Sequence, residues 1–229
     1  MKIPSRLFEP LVLISLTIFL SLVWCFWEIA EDVIEGDTHN IDTSILLMMR
    51  NPLDQNLPWG PSWLQEMVRD ISSMGSTAFL TIATGLVAVF FIMTRRFKRA
   101  AYLVSSVISG AVISNLLKMG FDRPRPDLVP HGTIIHTASF PSAHSMMSAI
   151  VFLSIGALLA KSQSSRGLKI SFMSAAVFLT LIVGISRIYL GVHWPSDVMA
   201  GWIAGTMWAM IFWILEYVVS KRTKSNSPA

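Results

Sequence analysis

Apolar residues in this chain come in long runs, not in the short alternations of a water-soluble core. Six runs stand out, at about 10–30, 76–94, 100–118, 144–161, 169–187 and 197–219. Each approaches or exceeds the ~18 residues that cross a ~30 Å hydrocarbon layer as a helix. The pattern predicts an all-α, polytopic membrane protein. Six transmembrane helices form one bundle within residues 1–220, and a polar, disordered tail follows at 221–229. The third run carries Ser105, Ser106, Ser109, Ser114 and Asn115, which favours close helix packing inside the bundle over lipid exposure. The sixth carries Gly201 and Gly205 in GxxxG spacing. A packing face within the chain is the expected use, and a dimer face is the alternative.

The first run follows Lys2 and Arg6 in the manner of a signal peptide. It continues to about residue 29 and meets acids without a small-x-small cleavage pattern, so it reads as a retained membrane helix. Cys25 lies within it. As the only cysteine it excludes an intrachain disulfide, and it is expected to be a small packed side chain.

The connections sort by charge. Lys2 and Arg6, then Arg95, Arg96, Lys98 and Arg99, then Lys161, Arg166 and Lys169, then Lys221, Arg222 and Lys224 fall on one side of the six runs. These are 12 of the 18 Lys and Arg residues. The positive-inside rule makes that side cytoplasmic, and an even number of spans puts both termini there. The opposite side has a long loop, about 31–75, acidic at its start (Glu31, Asp32, Glu35, Asp37, Asp42) and broken by Pro52, Pro58, Gly60 and Pro61. Within it, residues 63–74 (WLQEMVRDISSM) have helical apolar spacing through Leu64, Met67, Val68 and Ile71. With Trp59 and Trp63 beside it, this segment either lies in the membrane interface or packs on the bundle.

Composition agrees with a membrane protein. Hydrophobic residues make up 53% and charged residues 14%, against about 25% charged in soluble domains. The net charge of +4 does not indicate a nucleic-acid surface, because the basic residues sit in short clusters between apolar runs.

Against this background, three stretches concentrate ionisable groups at helix ends on the outer side: 118–126 (KMGFDRPRP), 141–144 (PSAH) and 186–197 (SRIYLGVHWPSD). A charge near bilayer depth costs at least ~2.5–3.5 kcal/mol, so such a cluster points to function. Lys118, Arg125 and Arg187 suit a multiply charged phosphate, Arg as a planar fork and Lys as a point charge. Pro124 and Pro126 stiffen the backbone around Arg125. Ser142 is a good N-cap for the fourth helix, whose first amides, including that of Ala143, are placed to meet an anion. Two histidines divide the remaining chemistry, one as nucleophile and one as general acid. Asp197, four residues after His193, is placed to orient that imidazole, which favours His193 as nucleophile and His144 as acid over the swap. His39, His131 and His136 lack partners in sequence and are expected to be solvated. Arg123 is either a substrate contact or a structural one. Asp122 and Asp127 have no companion carboxylates, so no metal or other cofactor is expected.

These residues, in this order, resemble the type 2 phosphatidic acid phosphatases. That family's pattern is Lys, six residues, Arg-Pro; then Pro-Ser-Gly-His; then Ser-Arg, five residues, His, three residues, Asp. Lys118 with Arg125-Pro126, then 141–144, then Ser186-Arg187 with His193 and Asp197 fit it across about residues 70–215. The departure is Ala143 in the place of Gly, which bears on how closely that amide meets phosphate. The resemblance implies a six-helix bundle with an outward-facing site, a phosphohistidine on His193, proton donation by His144, and no metal. The expected enzyme is a lipid phosphatase of the bacterial plasma membrane. Its substrate is a phosphomonoester or diphosphate of a lipid: undecaprenyl diphosphate, phosphatidylglycerophosphate or phosphatidate. A phosphotransferase passing the phosphoryl group to another lipid, and a non-catalytic lipid-phosphate binder, are the alternatives.

Overall fold

A computed structural model describes residues 10–132 and 137–225. Among them the chain is helical, with one isolated antiparallel bridge between Arg50 and Pro58. The helices are α1 (Pro10–Glu35), α2 (His39–Met48), α3 (Ser62–Ser73), α4 (Thr77–Met93), α5 (Phe97–Phe121), α6 (Ala143–Lys161), α7 (Arg166–Tyr189) and α8 (Pro195–Ser225). Lys2, Arg6, His136 and residues 226–229 lie outside the described residues. Five helices are long and apolar enough to cross a membrane: α1, α5, α6, α7 and α8. α4 has only 17 residues; it reaches the length and hydropathy of a span only together with α3, from which it bends by 52°, so the structure has five such helices, or six if that bent pair counts as one. The chain is a multi-pass membrane protein. α8 runs to Ser225, into the segment expected to be a tail.

α6 is the centre of the bundle. Gly201 and Gly205 of α8 lie directly against its backbone. A Cβ on Gly201 would stand 2.7 Å from the Ser142 carbonyl oxygen, and one on Gly205 would collide with the Met146 carbonyl. The GxxxG face is therefore a packing face within the chain. On α5 the buried positions Leu103, Ser106, Gly110, Ser114 and Lys118 recur every three or four residues. That period is one face of a helix, and it carries Lys118 inward. Ser105 and Asn115 fall off this stripe and are exposed, so the expected burial of the polar set holds for Ser106 and Ser114 only. Cys25 is exposed, not packed. The face of α1 that meets the bundle is built from Phe26, Ile29, Ala30 and Val33 against Phe121, Phe140 and Ala200, and Cys25 is not part of it.

The outer connection holds two helices. α3 matches the expected segment, and Leu64 and Val68 pack on Tyr189, Leu190 and Val192, so one of its faces belongs to the bundle. Trp59 and Trp63 stay 60% and 62% exposed. α2 was not legible as a helix, yet Asp42 and Leu46, one turn apart, are its two buried residues.

Candidate active site

Lys118, in the last turn of α5, donates from Nζ to the Ala138 carbonyl at 2.6 Å. Arg125 lies in the proline-flanked loop after α5. Its Nε donates to the Thr137 carbonyl (2.7 Å), one amine donates to the Val192 carbonyl (2.6 Å), and the same amine stands 3.1 Å from His193 Nε2. Arg187, in the last turn of α7, is 3% exposed. One of its amines donates to Ser72 Oγ of α3 at 2.7 Å, while its Nε is buried without a hydrogen-bond partner. His144 sits in the first turn of α6, packed on the corner between α3 and α4. A Cβ on Gly75 would lie 3.0 Å from His144 Cδ2 and 2.5 Å from Val183 Cγ1, so only glycine lets that corner close.

Lys118, Arg125, Ala143, His144, Arg187 and His193 line one cavity of about 330 Å³. Its remaining wall is mostly apolar, from α4 (Leu80), α5 (Val107, Ile108, Ala111) and α6 (Met147), with Thr77 and Thr81 of α4 and Thr137 beside them. A larger cavity of about 690 Å³ lies between α6, α7 and α8, but no His, Asp or Arg lines it. Size does not locate the chemistry here; the donor set does.

Asp197 stands behind the cavity, 0% exposed, in the first turn of α8. Its Oδ2 faces His193 Nδ1 at 3.3 Å and accepts from the Trp194 amide (2.9 Å) and from Ser139 Oγ. Its Oδ1 accepts from Arg123 at 2.7 Å. Arg123 also bonds Asp42 Oδ2 at 2.8 Å. Asp42 in turn accepts from the amide (2.8 Å) and the hydroxyl (2.6 Å) of Ser196. Arg123 is thus a structural contact, which resolves the choice left open by sequence. Ser139 and Asp42 were missed. Ser139 belongs to no motif. The only trace of Asp42 is an acid one turn before buried Leu46 in an apolar segment.

His193 is 2% exposed. Burial pushes its imidazole down to about 3, against the hydrogen bond and charge of Asp197, and Arg125 and Arg187 lower it further. The ring is therefore neutral at neutral pH. With Nδ1 turned to the carboxylate, Nε2 is the nitrogen on the Arg125 side.

Ser142 does not line the cavity. It is fully buried, its hydroxyl accepts from the Ser145 amide as an N-cap, and its own amide donates to the Asp197 carbonyl at 3.0 Å. Its amide and its hydroxyl oxygen are thus both engaged within the fold. Ala143 is the first helical residue, a position that needs no positive φ, so Ala is accommodated there. His39 opens α2 and meets Trp194 edge-on at 5.7 Å, and an imidazole nitrogen of His131 lies 2.6 Å from the Pro126 carbonyl. Both are exposed, as expected, with neighbours that sequence did not show. Asp122 and Asp127 are exposed. Among the described residues, no three His, Cys, Asp or Glu side chains are grouped to hold a metal ion.

An apolar helical bundle whose inner cavity gathers two arginines, a lysine and two imidazoles defines a membrane enzyme acting on phosphoric esters. The chain belongs to the PAP2 superfamily, whose family model matches residues 99–220. It is 31% identical over 149 residues to phosphatidylglycerophosphatase B of Bacillus subtilis, covering 63% of this chain and 71% of that protein. It is 30% identical over 170 residues to undecaprenyl-diphosphatase BcrC of the same organism, covering 64% and 81%. The crystal structure of the transmembrane PAP2-type phosphatidylglycerolphosphate phosphatase from Bacillus subtilis superposes with a TM-score of 0.75 at 24% identity, covering 88% of this chain and 96% of that one, and shares its fold. This chain is a phosphoric ester hydrolase of the same membrane lipid phosphatase family.

Proposed function

We propose that this enzyme removes phosphate from a lipid phosphomonoester or diphosphate, of the kind represented by phosphatidylglycerophosphate, phosphatidate or undecaprenyl diphosphate, through a phosphohistidine on His193. One observation carries the reading. A single cavity joins the cluster of Lys118, Arg125 and Arg187 to a mostly apolar wall of α4, α5 and α6, so an anionic head and a hydrocarbon stem fit the same space. The buried Arg187 Nε that lacks a partner gains one from a phosphate oxygen. That relieves the cost of ~1–3 kcal/mol for an unsatisfied buried donor.

In the first step His193 Nε2 attacks phosphorus and the bond from phosphorus to the leaving oxygen breaks. His144 gives that oxygen its proton. In the second step His144 takes a proton from water, whose oxygen attacks the phosphorus and frees Nε2. Inorganic phosphate leaves, and both imidazoles return to their starting states. The three cations hold the equatorial oxygens throughout. A panel of the three lipid classes, each assayed with and without an acceptor lipid, tests the assignment. Phosphate release from at least one is expected, at a rate unchanged by excess EDTA, because the charge partners are side chains. Transfer to the acceptor without release would instead make the protein a phosphotransferase, and activity that returns only with added Mg²⁺ would reject metal independence.

The same reading places six spans in the plasma membrane, both termini in the cytoplasm and the cavity mouth on the outer side, following the asymmetry of Lys and Arg. Asp127→Cys, made in a Cys25→Ser background because Cys25 is exposed, should react with an impermeant maleimide added from outside. Reaction only after the cytoplasmic face is opened would reverse the topology.

A further inference from the structure

Asp42 is 1% exposed, on a helix outside all three motif stretches, yet it is tied to Arg123 and to the first turn of α8. The Arg123 guanidinium is fully engaged at its two amines. One donates to Ser196 Oγ (2.8 Å) and Asp197 Oδ1 (2.7 Å), the other to Thr38 Oγ1 (3.0 Å) and Asp42 Oδ2 (2.8 Å). The group also lies 5.7 Å from the Trp194 ring. Arg123 does not line the phosphate cavity.

We propose that Arg123 and Asp42 are positioning residues for the hydrolytic reaction: Asp42 holds Arg123, and Arg123 fixes the Asp197 carboxylate so that its other oxygen faces His193. This rests on the reading of His193 as nucleophile. The physical case is the asymmetry around Asp197. Oδ2 accepts from the Trp194 amide (2.9 Å) and from Ser139 Oγ and meets His193 Nδ1 only at 3.3 Å, while Oδ1 accepts from Arg123 at 2.7 Å. The bond from Arg123 is the charge-assisted one, and together with those from the Trp194 amide and Ser139 on the other oxygen it sets the plane of the carboxylate. The imidazole then takes its orientation from a group that is already fixed. Asp42 supplies the second carboxylate that keeps a fork-shaped cation centred between two acids, and lysine, with a single point of charge, does not span both. The two arginines of the RPRP string thereby divide their work: Arg123 faces backward to the aspartates and Arg125 faces the phosphate.

The test compares Arg123→Gln, Asp42→Asn, Asp197→Asn and the double variant Arg123→Gln/Asp197→Asn in the full-length protein in lipid micelles. Three quantities are read: the single-turnover rate of phosphohistidine formation, KM, and inhibition by inorganic phosphate. Arg123→Gln and Asp42→Asn should each slow phosphohistidine formation about 10- to 100-fold, the scale on which outer partners of an oriented imidazole are felt. KM and phosphate inhibition should stay near those of the parent, since Lys118, Arg125 and Arg187 are untouched. In the Asp197→Asn background, Arg123→Gln should cost no more than about twofold further, because its effect passes through the missing carboxylate. Fully additive losses, losses that appear in phosphate inhibition, or no loss at all would overturn the proposal. If Arg123→Gln does not fold, Asp42→Asn, nearly isosteric, carries the same prediction by itself. Absence of any phosphohistidine in the parent protein would reject the nucleophile reading and this one with it. Its presence, with unaffected variants, would reject this one alone.

Discussion

His193→Ala is expected to abolish phosphate release and to leave no acid-labile ³²P on the protein. In the proposed mechanism Nε2 is the atom that bonds to phosphorus in the first step, and among the described residues His144, the other imidazole on the cavity wall, is assigned to proton transfer. His193 is buried, neutral at neutral pH and flanked by Arg125 on one nitrogen and Asp197 on the other. Removing a covalent nucleophile from such a unit costs on the order of 10⁴-fold or more, which at 1.36 kcal/mol per decade is about 5 kcal/mol of barrier. Inorganic phosphate should still inhibit, because the three cations remain. Labelling retained in His193→Ala and lost in His144→Ala would exchange the two roles.

The second large effect is expected for His144→Ala, and it should depend on the leaving group. Protonation of a departing lipid alkoxide is worth about 10²–10⁴-fold. A nitrophenyl phosphate leaves as a stabilised anion and needs little of that help. His144→Ala should therefore lose most of its rate on a lipid phosphomonoester and far less on the aryl ester, and phosphoenzyme should still form from the aryl ester. Equal losses on both substrates would mean that His144 serves binding or fold instead. Its packing against Gly75 and the α3–α4 corner makes a check of thermal stability part of that experiment. Normal turnover in both histidine variants would reject both assigned roles and move the chemistry to other residues.

Much of the fold was legible because bilayer-spanning helices leave a one-dimensional record. Length and hydropathy alone give the spans, and five of the six expected ones satisfy both in the structure, while α4 does so only together with α3. The candidate site was legible for a related reason. Lys118, His144, Arg187 and His193 lie at or beside helix ends, and helix ends on one side of a membrane share a narrow slab. Loops leave no such record. Ser196 accepts its constraint from Asp42, 154 positions away, through a helix whose ten residues are too few to show a strong period. Ser142 shows the opposite limit. Its N-cap role was readable from residue type, but whether its remaining atoms face phosphate depended on where the Asp197 carbonyl fell.

By itself the sequence determined the helical membrane class, the order of the phosphate-handling residues and the chemistry that those residue types permit. Hydrophobic period and residue chemistry are local properties, carried by each segment wherever it packs. Tertiary structure alone decided which face of each segment meets which neighbour. It set Arg123 against two buried carboxylates, closed the α3–α4 corner on His144, turned Cys25 outward, and made one cavity out of three cations from three segments and a mostly apolar wall from three helices. Those outcomes depend on distances between segments remote in sequence. Such distances are fixed only when the whole bundle packs and every buried polar group must find its partner.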